Sequence, residues 1–212
     1  MEAARSVGLT LGRTSPAGSE EAAFVEELKA GSEEAFAYLL AVYQNPVFNV
    51  VSHIVTNEAD APDVLQDVFI KVFKGIGNFN GDSSLKTWIY RIAVHEASNH
   101  RRSWFRRHWR EPISMDDSQS TAVVAAAETG ANDKNPYEVL EQTERTEVVR
   151  RALASLAQPY RPVVVLREIE GLSYEEIAQV LGVAEGTVKS RLLRGRELLR
   201  RKLAAYVGRS DV

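Results

Sequence analysis

Residues 171–202 read GLSYEEIAQVLGVAEGTVKSRLLRGRELLRRK, and this stretch decides the fold. Gly171 breaks the helix before it. Ser173, with Glu176 three residues later, forms a capping box that starts a new helix. Ile177, Ala178 and Leu181 give that helix a buried stripe, and Gly182 is the left-handed residue expected to end it. Val183 can plug the corner before a second helix opens at Ala184-Glu185. Ala184 offers no capping oxygen, whereas Glu185 suits the positive end of the helix dipole. Two short helices around a glycine turn make a helix-turn-helix.

At about 100° per residue, Val188, Leu192, Gly195, Leu199 and Leu203 of the second helix share one sector and should pack on the domain. Lys189, Ser190, Leu193, Arg194, Glu197 and Arg201 take the opposite side, with Arg191 and Arg196 on the flanks. An outward face with several bases and few acids suits the phosphate-lined major groove. Leu193 is apolar yet points away from the core. Single exposed leucines are common, but in this setting contact with a thymine methyl or a sugar is the favoured reading.

The rest of the chain sets bounds on that reading. Its 212 residues are 44 % hydrophobic and 26 % charged, ordinary values for a soluble globular protein. No apolar run approaches the roughly 20 residues that a membrane span needs. The N-terminus lacks a secretory-type apolar core, so a cytoplasmic protein is expected. There are no cysteines, which removes disulfides, thiolate zinc sites and thiol nucleophiles. His53, His95, His100 and His108 show no metal-type spacing, and no metal or other cofactor is expected. The net charge of −3 hides an uneven distribution, with acids crowding 19–34, 58–67 and 138–147. Bases crowd 101–110 (Arg101, Arg102, Arg106, Arg107, Arg110) and 189–202. Local stripes of this kind, rather than the total, make a footprint for phosphate, although one such run alone is equally a solvated helix face.

The pattern along the chain predicts an all-α protein of two small helical domains joined by a flexible linker. Residues 1–19 read as a tail, and helical periodicity holds from 20 to about 110. Residues 111–135, rich in Pro, Ser, Asp, Thr and Gly, read as a linker. Helical periodicity returns over 136–207, leaving 208–212 as a second tail.

In the first domain, Asp60 is the expected cap and Pro62 a first-turn residue of a helix whose buried stripe is Val64, Leu65, Val68, Phe69, Val72 and Phe73. Asp63, Gln66, Asp67 and Lys71 stay outside, on a face that composition alone cannot distinguish from solvated surface. After a turn at 79–82, another helix begins following Ser83 or Ser84, with Leu85, Ile89, Ile92, Ala93 and Ala97 grouped together. Arg91, His95, Ser98 and Arg102 gather on another side, with Trp88 and Asn99 at its margin. Bases, an amide, an imidazole and an indole on one face can hold single-stranded DNA by stacking and phosphate contact. Trp88 taken alone reads first as a core residue.

Together, three segments carry a resemblance: EADAPDVLQDVFIKVFKGIGNF (58–79), SSLKTWIYRIAVHEASNHRR (83–102) and REIEGLSYEEIAQVLGVAEGTVKSRLLRGRELL (167–199). The chain resembles the extracytoplasmic-function (ECF) sigma factors, small two-domain members of the sigma-70 family of bacterial RNA polymerase, over about 21–110 and 136–206. The last segment alone is shared with other regulators, whereas the joint occurrence is specific. The resemblance implies that the helix around Asp63, Gln66, Asp67 and Phe69 docks on core RNA polymerase, at the clamp coiled coil of the β′ subunit. It implies that 79–102 opens the minus-ten element and captures a flipped base, with Lys86, Trp88, Arg91, His95, Asn99 and Arg102 as candidates. Lys189, Ser190, Arg191, Leu193 and Arg194 would read the minus-thirty-five element, with the polymerase β flap and promoter DNA as further partners. An anti-sigma factor is an implied regulator, and no membrane insertion is implied. His95 stands where relatives often carry Asn, and Leu193 where some carry an aromatic residue, so neither base preference carries across. The alternative from the residues themselves is a stand-alone helix-turn-helix regulator. Carboxylate pairs such as Glu33/Glu34 and Glu175/Glu176 fall on helix surfaces or in the capping box, without a nucleophile or metal cluster, so an enzyme is not expected.

Overall fold

The computed structural model describes residues 18–108 and 146–207. The tails 1–17 and 208–212, the expected linker 111–135 and Arg110 lie outside the described residues, as does 136–145.

The N-terminal domain consists of α1 (Gly18–Lys29), α2 (Glu33–Ile54), α3 (Ala61–Gly75) and α4 (Leu85–His108). Ser32 starts α2 by accepting a hydrogen bond from the Ala35 amide at 3.2 Å. Ser84 does the same for α4, accepting from the Thr87 amide at 3.1 Å. The Glu21 carboxylate also accepts from the first amide of α4, Leu85 N, at 2.7 Å, where the helix dipole favours an anion. Pro62 does occupy the first turn of α3, but Asp60 makes no side-chain cap bond there. The core is a valine-rich seam: Val47, Val50, Val51 and Ile54 of α2 meet Val64, Val68 and Val72 of α3 and Leu85, Ile89, Ala93 and Ala97 of α4. Burying each of these larger side chains contributes about 1.5–3 kcal/mol before entropy is charged against it.

Two expectations for this domain need correction. Phe73 is 61 % exposed, not buried; its ring rests on that of Phe36 at 4.8 Å while the rest faces solvent. Tyr90 and Val94 are buried although they lie outside the predicted stripe of α4. Tyr90 is covered because the second domain packs there, a burial that the sequence of one domain does not announce.

The C-terminal domain opens, within the described residues, with helix α5 (146–154). Helix α6 (Arg161–Val164) continues without a break into a π-helical turn, Val165–Ile169. In that wider turn the Glu170 amide reaches back to Val165 O and the Leu172 amide to Leu166 O. The helix-turn-helix follows as α7 (Tyr174–Leu181) and α8 (Glu185–Val207). The predicted capping box is present in both directions: Glu176 N donates to Ser173 Oγ at 3.1 Å, and Ser173 N donates to the Glu176 carboxylate at 2.7 Å. Gly182 adopts φ 62° and ψ 39°, the left-handed conformation that ends α7. Among the described residues there is no strand, so the protein is all-α with two helical domains. These domains pack against each other, α7 on α4 and the π-helical turn on α2.

Gly195 sets how closely α8 approaches α6. A Cβ placed there would lie 2.6 Å from Val164 Cγ2, well inside van der Waals contact, so only glycine fits without movement.

Candidate nucleic-acid interface

Helix α8 has two unlike sides. Val188 and Leu192 are buried, Gly195 is buried under α6, and Leu199 is half-buried. Lys189, Ser190, Leu193 and Arg194 all face solvent, Leu193 most fully at 72 %, and Arg191 is half-buried on the flank. Ser190 Oγ donates to Thr187 O at 3.0 Å. Lys189 is held by Glu185 at 2.6 Å and lies 5.7 Å from the Tyr174 ring centre. The Glu185 carboxylate pushes the Lys189 ammonium above its ordinary value, keeping it charged. Contact with a phosphate would exchange one anionic partner for another.

On α4, the candidate residues divide into two groups. Lys86 lies 5.9 Å from the Tyr90 ring centre. Trp88 is half-buried against the core, its ring 5.3 Å from that of Phe79 and beneath Gly75. Further along, Arg102 donates to Asn99 Oδ1, Asn99 Nδ2 lies 3.1 Å from His95 Nδ1, and His95 Nδ1 lies 2.9 Å from Glu96 Oε1. Glu96 in turn pairs with Lys71 of α3 at 2.6 Å. Burial pulls the Glu96 carboxyl upward, but Lys71 and His95 outweigh it and hold the group below the usual carboxylate range. Lys71 and Glu96 are thus part of the arrangement, a pairing between helices that spacing within either one does not reveal. Arg91 is exposed and donates to Gln179 O of α7 at 3.0 Å.

The described bases of the run 101–110, Arg101, Arg102, Arg106 and Arg107, do not form one face. Arg101 is only 8 % exposed and donates to Leu156 O at 3.0 Å, inside the protein. Arg106 and Arg107 are exposed, and Arg102, Phe105 and Arg106 line a cleft of about 600 Å³ with Asn99 and Gln158.

On α3, Asp63, Gln66 and Asp67 are exposed and Phe69 is half-buried. Beside them, Leu40, Leu65, Phe69, Ile70 and Phe73 line an open groove of about 540 Å³ with Gln44, Pro62, Gln66 and Lys74. Ile70, Phe73 and Leu40 leave 42 %, 61 % and 39 % of their surfaces uncovered in one place. Contiguous apolar surface of this kind is found in proteins where a partner, a membrane or a ligand is bound. Among the described residues no group of three or more His, Asp or Glu is placed to hold a metal ion, and no helix is long and apolar enough to cross a membrane.

Comparison with known proteins agrees with this layout. Residues 39–110 match the family described as Sigma-70 region 2, and residues 146–199 match Sigma-70, region 4. The chain is 36 % identical over 185 residues to the ECF RNA polymerase sigma-E factor of Escherichia coli K12, covering 87 % of this chain and 95 % of that protein. It is also 36 % identical over 182 residues to the sigma-E factor of Haemophilus influenzae, covering 85 % and 94 %. Two solved structures share the fold. One is CnrH in complex with the cytosolic domain of CnrY, at TM-score 0.62 and 23 % identity over 87 % of this chain and 97 % of that one. The other is the sigma factor RpoE of Bartonella quintana in complex with the anti-sigma factor NepR, at TM-score 0.59 and 24 % identity over 80 % and 96 %. With both sigma-70 regions present in order, and 36 % identity across most of its length, this chain belongs to the ECF sigma factors of the sigma-70 family.

Proposed function

We propose that the chain brings core RNA polymerase to its promoters by dividing the work between two surfaces. The outer side of α8 reads the minus-thirty-five element through Lys189, Ser190, Arg191, Leu193 and Arg194. The α4 side carrying Arg91, His95, Asn99 and Arg102, with Lys86 and Trp88 nearer its start, engages the minus-ten element as it opens. The domains bearing these surfaces span 20–110 and 136–207, joined by 111–135. Polymerase binds the α3 face at Asp63, Gln66, Asp67 and Phe69, where the uncovered apolar groove supplies the area. The observation that carries the reading is Leu193: a leucine 72 % exposed, on the same outward side as Lys189 and Arg194, on a helix whose other side is buried. A leucine held there gains contact with a thymine methyl or sugar, and loses nothing from the fold if removed.

Opening DNA costs a few kcal/mol per unstacked step, so a chain this small needs the polymerase to hold both sites at once. Two weak sites on one assembly raise each other's effective concentration. The protein itself performs no bond-making chemistry, works in the cytoplasm, and is held in reserve by an anti-sigma factor. The stand-alone regulator is disfavoured because such a protein has no use for the α3 groove.

In vitro transcription with core polymerase tests this. The chain plus core polymerase should start transcripts at a defined promoter set, and Arg194→Glu should abolish them. The isolated chain should bind DNA only in a salt-sensitive, nonspecific manner. Tight promoter-specific binding by the chain alone would overturn the reading.

A further inference from the structure

The hydrogen bonds along the outer side of α4 run in one direction. Arg102 carries only donors, so it is the Asn99 oxygen, Oδ1, that accepts from it, and the Asn99 nitrogen is left facing His95. That nitrogen lies 3.1 Å from His95 Nδ1 and 3.3 Å from His95 Nε2. Glu96 decides between them. An ionised carboxylate only accepts, so His95 Nδ1, 2.9 Å from Glu96 Oε1, must carry the proton. In the neutral ring Nε2 is then the acceptor, open to the Asn99 N–H. The second carboxylate oxygen, Oε2, takes Lys71 Nζ of α3 at 2.6 Å. Arg102, Asn99 and His95 therefore each donate toward Glu96, and the chain ends on its carboxylate. The Glu96 side chain is 12 % exposed, against 63 % for His95, so the end of the chain is held in the protein while the groups it orients face solvent.

Arg102 and His95 each take one site of the Asn99 amide, which leaves one N–H and one lone pair of Oδ1 for a base. The polarity of that amide matters for an unpaired base, which is read along its Watson–Crick edge. Adenine and cytosine offer there an amino donor beside a ring acceptor, whereas thymine and guanine offer a keto acceptor beside a ring N–H. An amide matches either class, in orientations that differ by a half-turn. We propose that Glu96 is a specificity-determining positioning residue: by fixing the His95 tautomer it locks the Asn99 amide in one orientation, so that one of these two base classes is accepted at the minus-ten element and the other is refused. Without the carboxylate the His95 proton is free to move to Nε2, which then calls for the Asn99 oxygen and turns the amide round. A base of the wrong class would leave polar groups unpaired, and that penalty is the source of the discrimination. This rests on the assignment of the α4 side to the minus-ten element.

Transcription by core polymerase with the full chain, on a promoter library randomised across the minus-ten element, reads this preference directly. The wild-type chain should favour one base class over the other at one position by roughly ten-fold or more, within the range of a bidentate contact. Glu96→Ala should bring that ratio close to one while the preference at the minus-thirty-five element stays in place. Glu96→Gln keeps the shape but brings a donor of its own, so it should lower the ratio in the same direction, and it stands in if the alanine chain folds poorly. Nitrogen-15 NMR of the full chain should find the proton of neutral His95 on Nδ1, shifting toward Nε2 in Glu96→Gln. Output that falls evenly on all promoters with the ratio unchanged in both variants, or a wild-type His95 protonated at Nε2 alone, would overturn the proposal. Asn99→Ala keeps the two claims apart. If it leaves the minus-ten preference unmoved, the assigned surface itself is wrong and the proposal falls with it. If it removes the preference and neither Glu96 variant does, only the positioning role of Glu96 falls.

Discussion

Replacing Gly195 by alanine sets two known effects against each other inside one helix. Alanine is favoured over glycine in a helix interior by about 1 kcal/mol. Against that, the new Cβ would meet Val164 Cγ2 at 2.6 Å, with Tyr160 Cβ at 3.5 Å beyond it. Val164 is 1 % exposed and, being β-branched, has no second rotamer to retreat into. Relief must come from moving α8 away from α6, and overpacking of this kind costs about 1–3 kcal/mol. The net effect is a loss of up to about 2 kcal/mol once the propensity gain is subtracted. Gly186 supplies the control, because it lies on the same helix with nothing within 4 Å of an added Cβ. Gly186→Ala should gain up to about 1 kcal/mol, so the two alanines should differ by about 1–3 kcal/mol in urea unfolding followed by circular dichroism. Adding Val164→Ala to Gly195→Ala should recover part of the loss as a favourable coupling energy. If Gly195→Ala proves as stable as Gly186→Ala, the close approach of α8 and α6 is not what keeps glycine at 195.

Ser173→Ala removes the oxygen that receives the Glu176 amide and should cost about 1 kcal/mol of stability, read in the same unfolding assay. Phe73→Ala should leave stability within about 1 kcal/mol, since the ring is mostly in water, while weakening binding to core polymerase in a competition assay. Glu96 has its folded value held below the ordinary carboxylate range, so its contribution is present above that range and lost as pH falls through the folded value. Glu96→Gln should therefore flatten the acid side of the stability profile and leave the alkaline side unchanged in shape.

The helix-turn-helix was legible because each of its signals acts within four residues: a capping box, a left-handed glycine, and one helix with an apolar and a basic side. Phe73 was misread for a different reason. Its place in the period matches Val72 and Phe69, and periodicity reports apolarity without saying whether the cover is the protein's own core or a partner. The run of bases at 101–110 misled in the same way, since adjacency in sequence sends Arg101 inward to Leu156 O while Arg102 turns outward. Arg161 gave no signal at all. Its partners are carbonyls more than a hundred residues away, and backbone oxygens look alike at every position. The Lys71–Glu96 pair was hidden because it joins two helices whose relative rotation no local pattern specifies.

The separation of α8 into a packed side and an open side bears on how such a protein diversifies. Val188, Leu192 and Gly195 hold the helix in place, and none of them faces outward. Positions 189, 190, 193 and 194 are all exposed, so exchanges there should each move stability by no more than about 0.5 kcal/mol. If the outer side of α8 reads the promoter as proposed, a duplicated copy of this chain is free to drift toward new promoters at those positions without first acquiring compensating changes in its core. Grafting the outward residues of one such helix onto another is, for the same reason, a transplant that the scaffold tolerates.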